Sequence, residues 1–462
     1  MIRSIVAAPR VLFLGLLIYA PWAYGCTVSW AIHGLELIAA AILALWVFGC
    51  VFTLKAPAID RWNTACVAWL LGQGWLMALN AHTQFHARLG DKPHVFSVIP
   101  AWWQSGPGSV DGPASIAMMW RITALLGLLL FAGDMARDAV WRQRIWRTMA
   151  VAAGSMILYG LFQRVLGAPS IFWLGKPTDA AFFGTYYYHG NAGAFINLVF
   201  PLVAAMAWLS CRDERMRGLR LIALPAAGVT LAGACVNASR AGFAITFVLG
   251  CVLLAWIVQH SGRTGTLKGG RLLSAGVAVA AIITIAVSAG WETAIHKWSL
   301  LPKQLNGENP RLLAMSACVR MIRTEGAEWG FGPGTFEIAF PHYTAFLGRS
   351  IEGIWRFAHQ DYLQTIIEWG YIGAAVWGLL FVRGLVICFI RAADHLIPEP
   401  ERTLLFATGI ALAGIALHAV IDFPLQIASL QLYVISFLAI AVHRGSKAEI
   451  VEVEAGSVVL PP

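Results

Sequence analysis

The chain has 462 residues, of which 58% are apolar and 12% charged, with a mean hydropathy of +0.68 and a formal charge of +9. This balance excludes a soluble domain closed around one core and predicts an all-α polytopic membrane protein of about twelve transmembrane helices. The basic residues fall in short clusters between apolar runs, where anionic membrane lipids are their natural partners, so the charge implies no nucleic acid.

Arg3 and Arg10 precede an apolar run in the manner of a signal peptide, but a second run follows at once without a small-residue cleavage site, so a retained first helix is expected. Crossing the hydrocarbon layer takes roughly 20 mainly apolar residues. The runs that qualify are approximately 11–30, 34–54, 63–80, 115–133, 148–166, 190–210, 220–237, 241–259, 272–290, 364–390, 403–421 and 425–442. Alternate connections on one side hold Arg3 and Arg10; Lys55 and Arg61; Arg137, Arg142, Arg144 and Arg147; Arg212, Arg215, Arg217 and Arg220; Arg263, Lys268 and Arg271; Arg391 and Arg402; Arg444 and Lys447. Outside the long loop, the other side holds only Arg88, Lys92, Lys176 and Arg240. The bias places both termini in the cytoplasm and the other face in the periplasm or its equivalent.

Three outer segments stand out. Residues 81–114, with Trp102, Trp103 and a Gly/Pro-rich tract, read as an irregular interfacial loop. Residues 167–190 end in Phe182-Phe183-Gly184-Thr185-Tyr186-Tyr187-Tyr188-His189-Gly190, with Asn191 as the expected cap of the next helix. Residues 291–362 form the one long polar segment, carrying Lys297, Lys303, Arg311, Arg320, Arg323, Arg349 and Arg356 together with His296, His342 and His359. Long loops are exempt from the charge rule, and a loop of this size is expected to carry structure and function. The chain thus divides into helices 1–180, a region 181–445 that includes the loop, and a tail 446–462 expected to be disordered. Most cysteines lie in apolar runs, so no disulfide framework follows.

Within the long loop, Asn309-Pro310-Arg311 opens an amphipathic helix with Leu312, Leu313, Val319, Met321 and Ile322 as its apolar positions and Gly326 at its end. Arg311 then sits in a first turn suited to a phosphate, or pairs with a loop carboxylate such as Glu308. Arg240, in Asn237-Ala238-Ser239-Arg240-Ala241-Gly242, lies between two apolar runs with almost no connection; it serves an anionic ligand or reaches out to headgroups. Arg121 and Glu368 are buried charges that serve function or satisfy each other and polar neighbours. His359, in Ala358-His359-Gln360-Asp361-Tyr362-Leu363, stands where the loop rejoins the membrane and is either a general base or a polar anchor, with Asp361 a possible neighbour. Gly330-Phe331-Gly332-Pro333-Gly334 lacks the lysine and strand-to-helix context of a phosphate loop and reads as a positioning turn. Tyr186, Tyr187, Tyr188, Tyr343, Tyr362, Trp102 and Trp103 offer planes for sugar rings or form an interfacial belt. No metal motif or cofactor motif is present.

Four of these stretches in order, Phe183-Gly184-Thr185 to Asn191, Ser239-Arg240-Ala241-Gly242, the Arg311 helix leading to Gly330–Phe336, and His359-Gln360-Asp361-Tyr362-Leu363 followed by Glu368-Trp369-Gly370, resemble the O-antigen ligase family and its polymerase relatives. The likeness covers roughly residues 180–440. It implies a metal-independent membrane glycosyltransferase with an undecaprenyl-diphosphate-linked glycan as donor and a glycan or lipid A-core acceptor at the periplasmic face of the bacterial inner membrane. It also implies that Arg240 and Arg311 hold the diphosphate and that His359 activates the acceptor hydroxyl. Tyr187, His189, Asn191, Asp361 and Tyr362 complete the expected substrate-binding set. Where the family often has Asn or Ser after the histidine, this chain has Gln360. A protein O-oligosaccharyltransferase, a twelve-helix secondary transporter and a non-catalytic export subunit are the alternatives. A transporter would show related halves and mid-membrane sites.

Overall fold

A computed structural model describes residues 2–89, 92–174, 182–212, 218, 220–261, 310–324, 328–344 and 354–443. The expected run 272–290, the loop residues His296, Lys297, Lys303, Glu308, Asn309, Gly326 and Arg349, and the tail from Ser446 lie outside these residues. So do Lys176, Arg215, Arg217, Arg263, Lys268, Arg271, Arg444 and Lys447.

Every other apolar run of the sequence is a helix: α1 Ile2–Trp22, α2 Ser29–Thr53, α3 Arg61–Leu79, α4 Gly112–Met135, α5 Ala139–Val165, α6 His189–Arg212, α7 Arg220–Val236 and α8 Arg240–Ser261, followed after the long loop by α11 Asp361–Ala393, α12 Glu399–Ala419 and α13 Ala428–Val442. The loop adds α9 Pro310–Thr324 and α10 Phe336–Thr344. Among the described residues, 7 helices are long and apolar enough to cross a membrane, while α1, α7 and α13 offer shorter apolar stretches. The molecule is a multi-pass membrane protein.

Several starts follow from local chemistry. Asp60, Asp111 and Asp138 each accept backbone N–H bonds that the first turns of α3, α4 and α5 leave open, and Ser239 does the same for α8 through Gly242 N at 3.1 Å. Helices α6 and α13 are apolar on all sides and nearly enclosed; α6 packs on α7, α8 and α12, and α13 on α4, α11 and α1. Polar side chains tie helices together where no water competes, as when Trp146 Nε1 donates to Thr408 at 3.2 Å and Tyr433 to Leu17 O at 3.0 Å. At one end of the bundle Glu401 accepts from Arg142 (2.7 Å) and Arg391 (3.3 Å), joining α5, α11 and α12. By chain direction, the starts of α6 and α11 and the end of α12 lie at the opposite end.

Residues 99–111, which hold Trp102 and Trp103, are irregular as expected, but the stretch before them is not. Thr83–Leu89 (β1) and Lys92–Val98 (β2) form an antiparallel hairpin in which Phe85 pairs with Phe96 and Leu89 with Lys92. The facing phenyl rings lie 5.4 Å apart.

The long loop is folded where it is described. Ala314, Ala317, Cys318 and Met321 form the buried stripe of α9 and meet Phe331, Phe336, Phe340 and Ile367 in a separate apolar cluster. Of the predicted apolar positions Met321 and Ile322 are buried here, whereas Leu312 is exposed, because positions 314, 317, 318 and 321 hold the three- and four-residue spacing of one helix side. The glycine-rich stretch is a turn seated on a break in α11. Gly370 adopts φ 65°, ψ −178°, and the Ile367 and Glu368 carbonyls accept Phe331 N (2.7 Å) and Gly332 N (3.1 Å) from the turn. The loop thus supplies the donors that the interrupted helix lacks. Glu368 accepts Gly334 N at 3.0 Å and Gln364 Nε2 at 3.1 Å, so its carboxylate is satisfied by polar neighbours.

Candidate functional site

The site forms where four chain segments meet: residues 182–188 leading into α6, the first turn of α9, the approach to α11, and the connection between α12 and α13. In the first segment Gly184 (φ 59°) reverses the chain so that Phe183 and Tyr186 exchange backbone bonds at 3.1 Å. Successive tyrosines then point in different directions. Tyr186 is buried against Ser429 at 3.0 Å, Tyr187 stacks on Tyr24, and Tyr188 enters the site. Helix α6 begins at His189, so Asn191 lies inside its first turn, buried, instead of ahead of it as a cap.

Tyr188 joins groups from three of the segments. Its hydroxyl donates to Asp422 Oδ2 at 3.0 Å and accepts from Arg311 Nη2 at 2.9 Å. The other carboxylate oxygen of Asp422 lies 3.1 Å from His359 Nδ1. Phe423 braces both rings, stacking on Tyr188 at 5.4 Å and meeting the edge of His359 at 4.7 Å. Gly190 makes room for this arrangement, since a Cβ there would overlap Asp422 Oδ2 and the Tyr188 ring. His359 itself adopts φ 53°, an uncommon backbone state for histidine that the surrounding contacts must hold.

The electrostatics assign the protons. Burial acts to raise the Asp422 carboxyl, but the hydrogen bond with His359 and the nearby positive charge, including Arg311, outweigh it, and the group titrates below its ordinary 3.8. An ionised carboxylate only accepts, so Nδ1 of His359 carries the hydrogen of this bond. Burial and the Asp422 charge push the Tyr188 phenol above its ordinary 10.0, so it stays neutral and remains a donor.

The other expected site residues divide. Arg240 opens α8, and this stretch packs on the start of α6: Asn237 Nδ2 donates to His189 O at 3.0 Å, and Gly193 closes against Ser239. Arg240 therefore begins its helix beside the turn that carries Tyr188. His189 lies against the Tyr188 ring at 4.8 Å. Asp361 is buried and its two oxygens accept Leu425 N (2.8 Å) and Gln426 Nε2 (3.0 Å), which fixes the connection carrying Asp422; the partner of His359 is Asp422 and not Asp361. Tyr362 donates to Ala416 O at 2.8 Å and lines an apolar cleft of about 430 Å³ between α4, α11 and α13, with Glu368, Gln426 and Gln431 among its polar lining groups. Gln360 caps α11 through Leu363 N.

Asp422 and the hydroxyl of Tyr188 escaped the sequence reading. Asp422 had a signal: it is the acidic residue in the brief gap between the last two apolar runs, on the face assigned to His359. Among the described residues, no three His, Cys, Asp or Glu side chains are grouped to hold a metal ion.

Residues 225–378 match the family model described as O-Antigen ligase. The match includes Arg240, Arg311, His359, Asp361 and Tyr362, whereas Tyr188 and Asp422 come from outside it. No curated protein matches the chain.

Proposed function

Taking as premise that the chain is of an O-antigen ligase-like family, a membrane glycosyltransferase type, we propose that it moves a preassembled glycan from an undecaprenyl-diphosphate carrier to an acceptor hydroxyl. The observation that carries this reading is the linked set Arg311–Tyr188–Asp422–His359, which sets a cation and an oriented imidazole on two sides of one tyrosine. His359 Nε2 takes the acceptor's proton as its oxygen bonds to the anomeric carbon; the bond from that carbon to the diphosphate breaks, and the lipid diphosphate leaves with the electron pair. Arg311 and Arg240 neutralise the charge on the leaving group, the role a divalent ion fills in many nucleotide-sugar transferases. The apolar cleft beside Tyr362 suits a lipid-borne substrate. The charge distribution between alternate connections supports an inner-membrane location with both termini cytoplasmic and the site on the periplasmic face. The acceptor is lipid A-core sugar for a ligase or the growing polysaccharide for a polymerase.

The purified full chain in lipid nanodiscs tests this when given lipid-diphosphate glycan and an acceptor in the presence of a chelator. Transfer is the expected result. Transfer only from a nucleotide sugar, or only after a divalent ion is added, overturns the proposal.

A further inference from the structure

We propose that an aromatic cluster next to the site, formed by Tyr24, Trp30, Phe172, Trp173 and Tyr187, is a saccharide-binding subsite for the part of the donor glycan beyond the reacting sugar; this rests on the transfer reading above. Tyr24 is its hub. Tyr187 stacks on it at 5.4 Å and 14°, while Phe172 and Trp30 meet it edge-on at 5.1 and 6.0 Å. Tyr159 supports the far side, 5.4 Å from Phe172 and 5.9 Å from Trp173. The arrangement is open to a ligand, with Trp30 57%, Trp173 43% and Tyr187 43% exposed.

The backbone distinguishes this cluster from a membrane-interface belt. Among the described residues, the non-glycine positions with positive φ are Tyr24, Cys26, Leu54, Phe172, Trp173 and His359. Leu54 is a helix C-cap and His359 is in the site, so the rest all lie in the two short segments, Tyr24–Cys26 and Ile171–Trp173, that supply Tyr24, Phe172 and Trp173 to the cluster. Such conformations persist only where the surroundings over-determine them, and they collect at places that bind or react. A ring anchored among headgroups needs only the right depth. A sugar ring recognised through its C–H faces needs aromatic planes held at set angles. Consecutive residues also join cluster to site: Tyr187 stacks in the cluster, and Tyr188 bridges Arg311 and Asp422. The turn that carries the Arg311–Asp422 bridge thus also carries one ring of the cluster.

The test compares two donors with the purified full chain in nanodiscs, one lipid diphosphate bearing a single sugar and one bearing several repeat units. Trp30→Ala and Trp173→Ala are expected to raise the KM for the long donor about tenfold and that for the short donor much less. Trp30→Phe, which keeps a ring at a well-exposed position, is expected to return the ratio to within about twofold of wild type. An unchanged ratio in both alanine variants, or no recovery with phenylalanine, overturns the subsite while leaving the transfer reading in place. Failure of the wild-type chain to use either donor overturns both.

Discussion

Replacing Asp422 by asparagine keeps the side-chain shape and removes the charge that orders the site. The carboxylate serves His359 Nδ1 at 3.1 Å and the Tyr188 hydroxyl at 3.0 Å, and that hydroxyl already accepts from Arg311. With its amide nitrogen toward Tyr188, asparagine opposes a donor to a donor. Turned the other way, it donates to Nδ1 and moves the imidazole hydrogen to Nε2, where the acceptor's proton should go. Hydrogen bonds to charged groups contribute about 1.5–3 kcal/mol each, and loss of a positioned base costs about 10²- to 10⁴-fold. Asp422→Asn should therefore lower kcat by ~10²- to 10⁴-fold in a transfer assay at saturating donor, with KM changing by less than about threefold. The stability gap between wild type and variant gives an independent check. Because folding lowers the carboxyl below 3.8, its contribution is present above that pH and disappears as pH falls through the lower folded value. The difference in Tm should hold from neutral pH down to about 4 and close below it. A variant with kcat within about threefold of wild type would refute the role given to Asp422.

Tyr188→Phe deletes the hydroxyl between Arg311 and Asp422 and should reduce kcat/KM for the donor about tenfold, the value of roughly one charge-assisted hydrogen bond; an unchanged kcat/KM counts against the bridge. Gly190→Ala forces a methyl group into Asp422 and the Tyr188 ring, and is expected to cost about 1–3 kcal/mol of stability in a denaturation series while also lowering transfer. Gly370→Ala meets both a positive φ of 65° and the Glu328 backbone, so it should unseat the glycine turn and cost about 3 kcal/mol or more; a Tm equal to wild type would show that the turn does not depend on this break.

The apolar runs made the helices legible, because a span of apolar residues has few other uses in a chain of this composition. The hairpin at 83–98 was legible in principle through Gly90-Asp91 between β-prone stretches, but neighbouring Trp, Gly and Pro residues drew the reading toward a loop. His359, Arg311 and Arg240 stood out as polar groups beside apolar runs. The pairing of His359 with Asp422 did not: the two are 63 residues apart, with α11 and α12 between them. Asp361 was the nearer candidate in sequence, yet helix geometry turns it toward Leu425 and Gln426. Asp422 carries no weight in the Lys/Arg bias that orients the chain, although it lies between the last two helices.

The most direct test of the central claim is glycan transfer from purified lipid-diphosphate donor by wild type, Arg240→Ala, Arg311→Ala and His359→Ala, with donor KM and kcat measured separately. Weaker donor binding in both arginine variants and near loss of turnover in the histidine variant are the expected results. Wild-type rates in all three would contradict that claim.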